Sequence, residues 1–311
     1  MKIAILDDYQ DCVRTLKCFE KIKHHEVTIF NDTVKDNKTL SDRLSSFEAL
    51  VLTRQRSVID SELISLLPNL KVISQTGKVG SHVDLEACRA RGITVLDGQG
   101  SGEATAELNM LLILASLRHL SAEVDRLKHG LWQGHLGYRL KGRVLGVYGF
   151  GKIGQQICRL GQAFGANIQV WGRPSTLSNA QAAGYQVAQS KEAFFSTCDV
   201  LSVQLRLTPQ TKHIIKASDL ALMKQSALFV NASRAELVET NALYQALLLG
   251  RPGFAAVDVY EDEPVLAAKH PLIALPNCLC TPHLGFVERD NYEDYYATAF
   301  DNINAYSNGL L

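Results

Sequence analysis

The sequence predicts an α/β protein built as two doubly wound parallel-sheet domains. Three observations carry that expectation. Short apolar runs of strand length alternate with segments of helical period through residues 3–96. A second series with the same alternation runs through residues 144–280. At its head, the apolar run Val144 to Tyr148 leads straight into Gly149, Gly151 and Gly154 and then into a helical segment. Alternation of this kind means β-α-β units, because parallel neighbours need a crossover that returns the chain to the same edge.

In the first series strands are expected at 3–6, 27–30, 49–52, 71–74 and 93–96, with helices over 60–67 and 85–91 among the segments between them. Gly92 follows Arg89 and Arg91, which fits a helix C-cap with cations at the negative end of the dipole. Gly98, Gly100 and Gly102 then interrupt the pattern, and 104–120 is expected as one long linking helix with Leu108, Leu111, Leu112, Ala115 and Leu120 at helical spacing. Residues 123–139, around Trp132, have no clean period and are expected to form an arm or contact surface. In the second series strands are expected at 168–171, 200–204, 228–231, 254–258 and 278–280. A helix over 155–164 carries Ile157, Leu160 and Phe164 on one face, and another over 241–249 closes at Gly250. The last stretch, 287–306, is helical with Tyr292, Tyr295, Tyr296 and Phe300 three to four residues apart, and is expected to return to the first domain. The expected domains are therefore 1–100 with 286–311, and 101–285.

A chain of 311 residues that is 46% hydrophobic can bury two cores. Formal net charge is zero and the isoelectric point is near 7.1, so no broad basic field faces nucleic acid or anionic lipid, and small molecules are the expected partners. Seven cysteines without a CxxC fit a reducing compartment and buried apolar positions. The start MKIAILDD enters a strand without a charged leader, and no apolar run reaches the roughly 18 residues of a membrane span. A cytoplasmic protein with no metal site is expected.

The glycine motif carries the first chemistry. Its first glycine permits a tight turn, its second lets backbone N–H groups approach a pyrophosphate, and its third lets helix and strand pack closely. The phosphates then meet the positive end of a helix. The following strand ends in Trp171-Gly172-Arg173-Pro174-Ser175, where an NAD-binding unit usually offers an acid for the ribose hydroxyls. No acid is present. Gly172 leaves room, Arg173 offers a cation and Ser175 a third contact for a 2′-phosphate, so NADPH is expected over NADH; the alternative leaves Arg173 solvated at the adenine edge.

Three residues stand just past carboxyl ends of expected second-series strands: Arg234 in Asn-Ala-Ser-Arg, Glu263 in Asp-Val-Tyr-Glu-Asp-Glu-Pro, and His283 in Thr-Pro-His. An arginine fork suits a carboxylate and polarises a neighbouring carbonyl. A histidine near a carboxylate suits proton transfer near neutral pH. In the first series the loop Gln75-Thr-Gly-Lys-Val-Gly-Ser81 leaves the carboxyl end of the fourth strand, where open α/β sheets place ligands.

Together, Gly149 to Gly154, the segment Asn231-Ala-Ser-Arg234, the segment Asp258-Val-Tyr-Glu-Asp-Glu-Pro264 and Thr281-Pro-His283 resemble, in order and spacing, the signatures of the D-isomer-specific 2-hydroxyacid dehydrogenases. The resemblance covers nearly the whole chain. It implies a flavodoxin-like substrate domain, into which a Rossmann-type NAD(P)-binding domain is inserted, with the active site in a cleft. It also implies that Arg234 binds the substrate carboxylate and keto oxygen, that His283 is the acid/base and that Glu263 orients it. Asp258 would hold the nicotinamide carboxamide, with Lys152, Ile153 and Ala232 among the cofactor contacts. Val79 and Gly80 would bind the substrate carboxylate through backbone N–H groups. Ala235 replaces the glycine of the family's Asn-x-x-Arg-Gly, and Gln204 and Arg206 stand where relatives often carry His and Pro. Lys78 adds a cation to the substrate loop, which either meets a phosphate or second carboxylate of the substrate or points to solvent.

The expected activity is interconversion of a 2-oxo acid and a D-2-hydroxy acid, on the pattern of glyoxylate or hydroxypyruvate reductases. The alternatives are a D-3-phosphoglycerate dehydrogenase without a regulatory domain and, from another class, a nucleotide-sensing protein like the corepressors that resemble this family. The resemblance also suggests a homodimer through residues 108–139.

Overall fold

In the computed structural model, which describes residues 1–311, the chain forms two units, Met1–Ser101 with Val287–Leu311, and Gly102–Phe286. The first unit has strands β1 (Lys2–Ile5), β2 (Glu26–Ile29), β3 (Ala49–Leu52), β4 (Val72–Gln75) and β5 (Thr94–Leu96) and helices α1 (Asn37–Leu44), α2 (Ser61–Ser65) and α3 (Leu85–Ala90). In the second, α4 (Glu103–Leu117) and α5 (Leu120–Lys128) precede β6 (Val144–Tyr148), α6 (Lys152–Ala163), β7 (Asn167–Trp171), α7 (Pro174–Ala182), β8 (Gln186–Val187), α8 (Lys191–Thr197), β9 (Val200–Val203), α9 (Ala217–Ala221), β10 (Leu228–Asn231), α10 (Ala242–Leu248), β11 (Phe254–Val257) and β12 (Cys278–Cys280). Helix α11 (Arg289–Ser307) closes the chain and belongs to the first unit. No helix is long and apolar enough to cross a membrane.

The first sheet has the order β2-β1-β3-β4-β5 with every pair parallel. All residues of β3 and β4 are buried; β3 therefore reads as a continuous apolar run, and in β4 the buried Ser74 and Gln75 are satisfied by hydrogen bonds to the Ala299 and Arg54 carbonyls. Asp60 caps α2 by accepting from the Leu63 N–H at 2.8 Å, and Asp84 caps α3. Gly92 follows α3 with φ of +68°, the left-handed conformation that ends a helix. Tyr292, Tyr296 and Phe300 of α11 are buried and stack edge-on or tilted along one face. The Tyr296 hydroxyl lies 2.7 Å from Thr53 Oγ1, so burying the ring leaves no orphaned polar group. Each such ring contributes roughly 1.5–3 kcal/mol of burial.

The second sheet runs β12-β11-β10-β9-β6-β7-β8, also all parallel. Its connections reverse direction between β6 and β9, the switch point where open sheets of this kind accept ligands. Apolar side chains on both faces of the sheet form two separate clusters, one around Phe194, Phe229 and Leu243 and one around Ile113, Ile157 and Val230.

Three expectations are corrected. The helix expected over 104–120 is two helices, because Arg118 and then His119, at φ of +51°, leave helical geometry, and α5 occupies part of the segment that shows no clean period. Leu111 and Leu120 are exposed, whereas Ala106, Met110 and Ile113 face the core. On α6 the buried face is Gly154, Ile157, Cys158 and Gly161; Phe164, at its C-cap, is 47% exposed.

Candidate active site

Gly149 adopts φ of +107°, and a Cβ there would stand 2.4 Å from the Gln204 carbonyl oxygen. The turn out of β6 therefore requires glycine both for its backbone angle and for close passage of the loop after β9. A Cβ on Gly154 would sit 2.3 Å from the Gly149 carbonyl oxygen, whereas one on Gly151 would meet nothing within 4 Å. The loop is thus closed against protein at its first and third glycines and open at the second, the N-cap of α6. That opening fits a pyrophosphate on the helix N–H groups. Lys152 and Ile153 form the first turn of α6. After β7, Arg173 is the exposed N-cap of α7, and Gly172 and Ser175 flank it, with Ser175 also exposed.

The loops after β10, β11 and β12 leave the same edge of this sheet. Asn231, the last residue of β10, bends the first of them: its side chain accepts from the Ser233 N–H at 3.0 Å and donates to the Arg234 carbonyl at 2.9 Å. Ser233 ties the loop to the Val203 carbonyl at 2.7 Å, and Ala232 is buried beneath it. The Arg234 guanidinium donates to the Ser233 carbonyl at 2.6 Å and contributes to stabilising the charge on Glu263. Ala235, in the family's glycine position, is buried without a positive φ, so its methyl group is accommodated.

His283 Nδ1 lies 2.5 Å from Glu263 Oε2, and Glu263 Oε1 accepts from the Tyr260 N–H at 2.9 Å. Burial pushes the Glu263 carboxyl up, but the His283 hydrogen bond and charge, the Tyr260 N–H and Arg234 outweigh it and hold the carboxyl below its ordinary value. Glu263 is therefore a carboxylate at neutral pH, and it assigns His283 Nδ1 as the donor to it. The other ring nitrogen, Nε2, is left as the one that exchanges a proton outward. His283 itself has φ of +52°, an uncommon conformation for a non-glycine residue. Thr281, which accepts from the His283 N–H at 3.1 Å, and the edge-on ring of Phe286 help to hold it there.

Asp258 is fully buried at the end of β11. Burial raises its pKa, against hydrogen bonds from Thr281 Oγ1 at 2.6 Å and from the N–H groups of Leu284 at 2.7 Å and Gly285 at 2.9 Å. The same carboxylate thus ties down the segment carrying His283. Tyr260 and Thr281 escaped the sequence reading, and their neighbours in the Asp-Val-Tyr-Glu and Thr-Pro-His segments were the available signal. Gln204 turns inward, donating to Asn109 Oδ1 at 3.0 Å and Ser202 Oγ at 2.9 Å, while Arg206 is exposed.

In the first unit, the loop after β4 holds a carboxylate of its own chain. The Val79 N–H donates to Asp97 Oδ1 at 2.6 Å, and Lys78 Nζ pairs with Asp97 Oδ2 at 3.1 Å. Gly80 lies beside His82 and Gln55. Lys78 remains largely solvent-exposed.

An imidazole paired with a carboxylate, on the ligand-binding edge of a sheet whose glycine loop is open to phosphates, marks the class of dinucleotide-dependent oxidoreductases. The comparisons give the family. The D-isomer specific 2-hydroxyacid dehydrogenase, NAD binding domain, matches residues 110–285. The chain is 31% identical over 300 residues to the glyoxylate reductase of Thermococcus litoralis, covering 93% of this chain and 89% of that one. It is 33% identical to the D-3-phosphoglycerate dehydrogenase of Methanocaldococcus jannaschii over 92% of this chain, and spans about half, 53%, of that protein's length. A solved phosphoglycerate oxidoreductase from Vibrio cholerae is 50% identical, with a TM-score of 0.97 and 99% of each chain covered. The chain belongs to the D-isomer-specific 2-hydroxyacid dehydrogenases and is an NAD-dependent oxidoreductase of that family.

Proposed function

We propose that the protein reduces a short 2-oxo acid, of the glyoxylate or hydroxypyruvate type, to its D-2-hydroxy acid, using NADPH in preference to NADH. The observation that carries this reading is the His283–Glu263 pair at 2.5 Å, beside Arg234 and Asp258 on one edge of the nucleotide-type sheet. Gly149, Gly151, Lys152, Ile153, Gly154, Gly172, Arg173, Ser175, Ala232 and Asp258 would hold the cofactor, and the open second glycine fits its phosphates. When bound, the nicotinamide supplies hydride to the carbonyl carbon.

The chain's own residues do the rest. Arg234 binds the substrate carboxylate and draws charge onto the keto oxygen. His283, protonated and oriented by Glu263, passes the Nε2 proton to that oxygen as charge develops there. The first unit acts as the substrate domain, with Lys78, Val79 and Gly80 receiving the substrate carboxylate. The carboxylate of Asp97 on the Val79 N–H supports that role, because it shows the loop receiving such a group. The exposed Leu127, Leu131, Trp132 and Leu136 support a homodimer through the α4–α5 region. Seven free cysteines support a reducing, cytoplasmic setting.

Steady-state rates for glyoxylate, hydroxypyruvate and 3-phosphohydroxypyruvate, each with NADH and NADPH, test the reading. Hydroxypyruvate or glyoxylate with NADPH is expected to give the highest kcat/KM, and Arg173→Ala to lower it roughly tenfold for NADPH alone, the scale of one charged hydrogen bond. A wild type that prefers NADH, or turnover of none of the acids, overturns it. Preference for the phosphorylated acid would instead establish the second reading, a D-3-phosphoglycerate dehydrogenase, which Lys78 and the likeness to the phosphoglycerate enzymes favour.

A further inference from the structure

Five of the seven cysteines are isolated. Burial pushes the thiols of Cys12, Cys18, Cys158 and Cys198 up to about 12 and raises that of Cys88, so all five stay protonated and unreactive at neutral pH. Cys278 and Cys280 differ. They stand two residues apart on β12, the edge strand of the second sheet, so both side chains leave the same face. Their sulfurs lie 3.7 Å apart, and both residues are half-buried at the margin of the core cluster.

We infer that Cys278 and Cys280 form a reversible dithiol/disulfide modification site, oxidised by hydroperoxides and reduced by dithiols, which acts on the segment carrying His283. A disulfide needs the sulfurs only roughly 1.7 Å closer than they stand. Same-face side chains two apart on a strand start roughly 6.6 Å apart, whereas a disulfide holds its Cβ atoms about 3.5–4.5 Å apart, so closing the bond contracts the strand and loosens its pairing with β11. Cys280 is the attacking sulfur. Contact with the Cys278 sulfur lowers its pKa despite burial, while Cys278 is raised. In the first step the Cys280 thiolate attacks the distal oxygen of the hydroperoxide, the O–O bond breaks, and the leaving alkoxide takes a proton to become the alcohol. In the second the Cys278 sulfur displaces hydroxide from the resulting sulfenic acid, its own proton completing water. Two thiols are oxidised, and one hydroperoxide is reduced to alcohol and water.

The pair is joined to the proposed catalytic residues by a short chain of contacts. The Tyr260 hydroxyl beside Cys280 donates to the Thr281 carbonyl at 3.0 Å, and the Tyr260 N–H holds Glu263. Thr281 follows Cys280 directly, bonds Asp258 through its hydroxyl, and accepts from the His283 N–H. Contraction across residues 278–280 therefore reaches both partners of the His283–Glu263 pair. The effect on rate rests on the reductase reading; the cross-link itself does not.

Full-length protein is treated with a small excess of hydrogen peroxide, alkylated, and mapped by mass spectrometry, with the His283 ring signal followed by NMR and the reductase rate measured in parallel. The peptide containing Cys278 and Cys280 should come back unalkylated and two hydrogens lighter. The His283 signal should move, and the rate should fall roughly 10²-fold, the scale of an ångström-size displacement. Dithiothreitol should restore all three, and Cys280→Ser should keep the untreated rate and resist the loss. Recovery of both cysteines alkylated while other thiols oxidise overturns the site. A cross-link with an unmoved His283 signal overturns its action on that segment. If no 2-oxo acid is turned over, the functional reading fails, and the mapping and NMR still decide this one.

Discussion

The ligand-binding edges of the two sheets use charge in opposite ways. At the second sheet, the carboxylate of Glu263 is spent on His283 and that of Asp258 on Thr281, Leu284 and Gly285, which leaves a fixed imidazole with one nitrogen able to pass a proton. At the first sheet, the cation of Lys78 and the N–H of Val79 are met by Asp97 from the same unit, so a carboxylate already occupies a donor that the resemblance gives to substrate. Pairing in the second unit builds the proposed proton-transfer group; pairing in the first holds the place proposed for substrate. The physical difference is exposure: Asp97 and Lys78 are 43% and 75% exposed at their side chains, whereas Glu263 and His283 are 31% and 27%. An exposed pair exchanges readily with a competing anion, and a half-buried one holds its geometry.

The sharpest way to break this comparison is His283→Ala. Loss of the general acid should lower kcat/KM by roughly 10²–10⁴, while cofactor affinity measured by fluorescence titration stays near wild type. Loss below tenfold would remove His283 from the chemistry.

Glu263→Gln comes next. It keeps a hydrogen-bond acceptor but removes the charge, so kcat/KM should fall about tenfold to a hundredfold, the worth of a charged hydrogen bond, with KM little changed. The same variant tests the electrostatics. The folded-state pKa of Glu263 lies below the ordinary 4.5, so the stability it contributes is fully present above that value and is lost as pH falls through the lower folded value. Melting temperatures taken from pH 6 downward should drop less steeply in Glu263→Gln than in wild type. Parallel curves would mean that the pair adds nothing to folding.

The smallest effect belongs to the first sheet. Asp97→Asn weakens an exposed ion pair worth about 0.2–1 kcal/mol, so KM for 2-oxo acids should fall about two- to fivefold if substrate replaces Asp97 at Val79. A rise in KM would make Asp97 a residue that orients the loop for substrate.

Much of this was legible in the chain. A continuous apolar run marked β3, and runs broken by a single polar residue, Ser202 or Asn231, marked β9 and β10, because strands buried on both faces have no solvent-facing side. Residues whose roles depend on strand ends, Arg234, Glu263 and His283, were legible because parallel strands deliver their carboxyl ends to one edge. The break at His119 was not, since a left-handed residue inside an apolar period leaves no compositional mark. Phe164 misled for a related reason: the face of α6 against the sheet is built from small residues, Gly154 and Gly161, that carry no apolar signal.

The sequence by itself determined the two parallel sheets, the glycine loop and the catalytic candidates, since each is a local pattern of period, φ requirement or side-chain chemistry. Only the tertiary structure decided which groups are spent on one another: that Glu263 takes Nδ1 of His283, that Asp97 occupies Val79, and that two sulfurs on an edge strand stand beside the Tyr260 hydroxyl. Those pairings depend on distances of 2.5 to 3.7 Å between atoms that, Cys278 and Cys280 apart, lie many residues from each other along the chain, and packing sets such distances where local sequence does not.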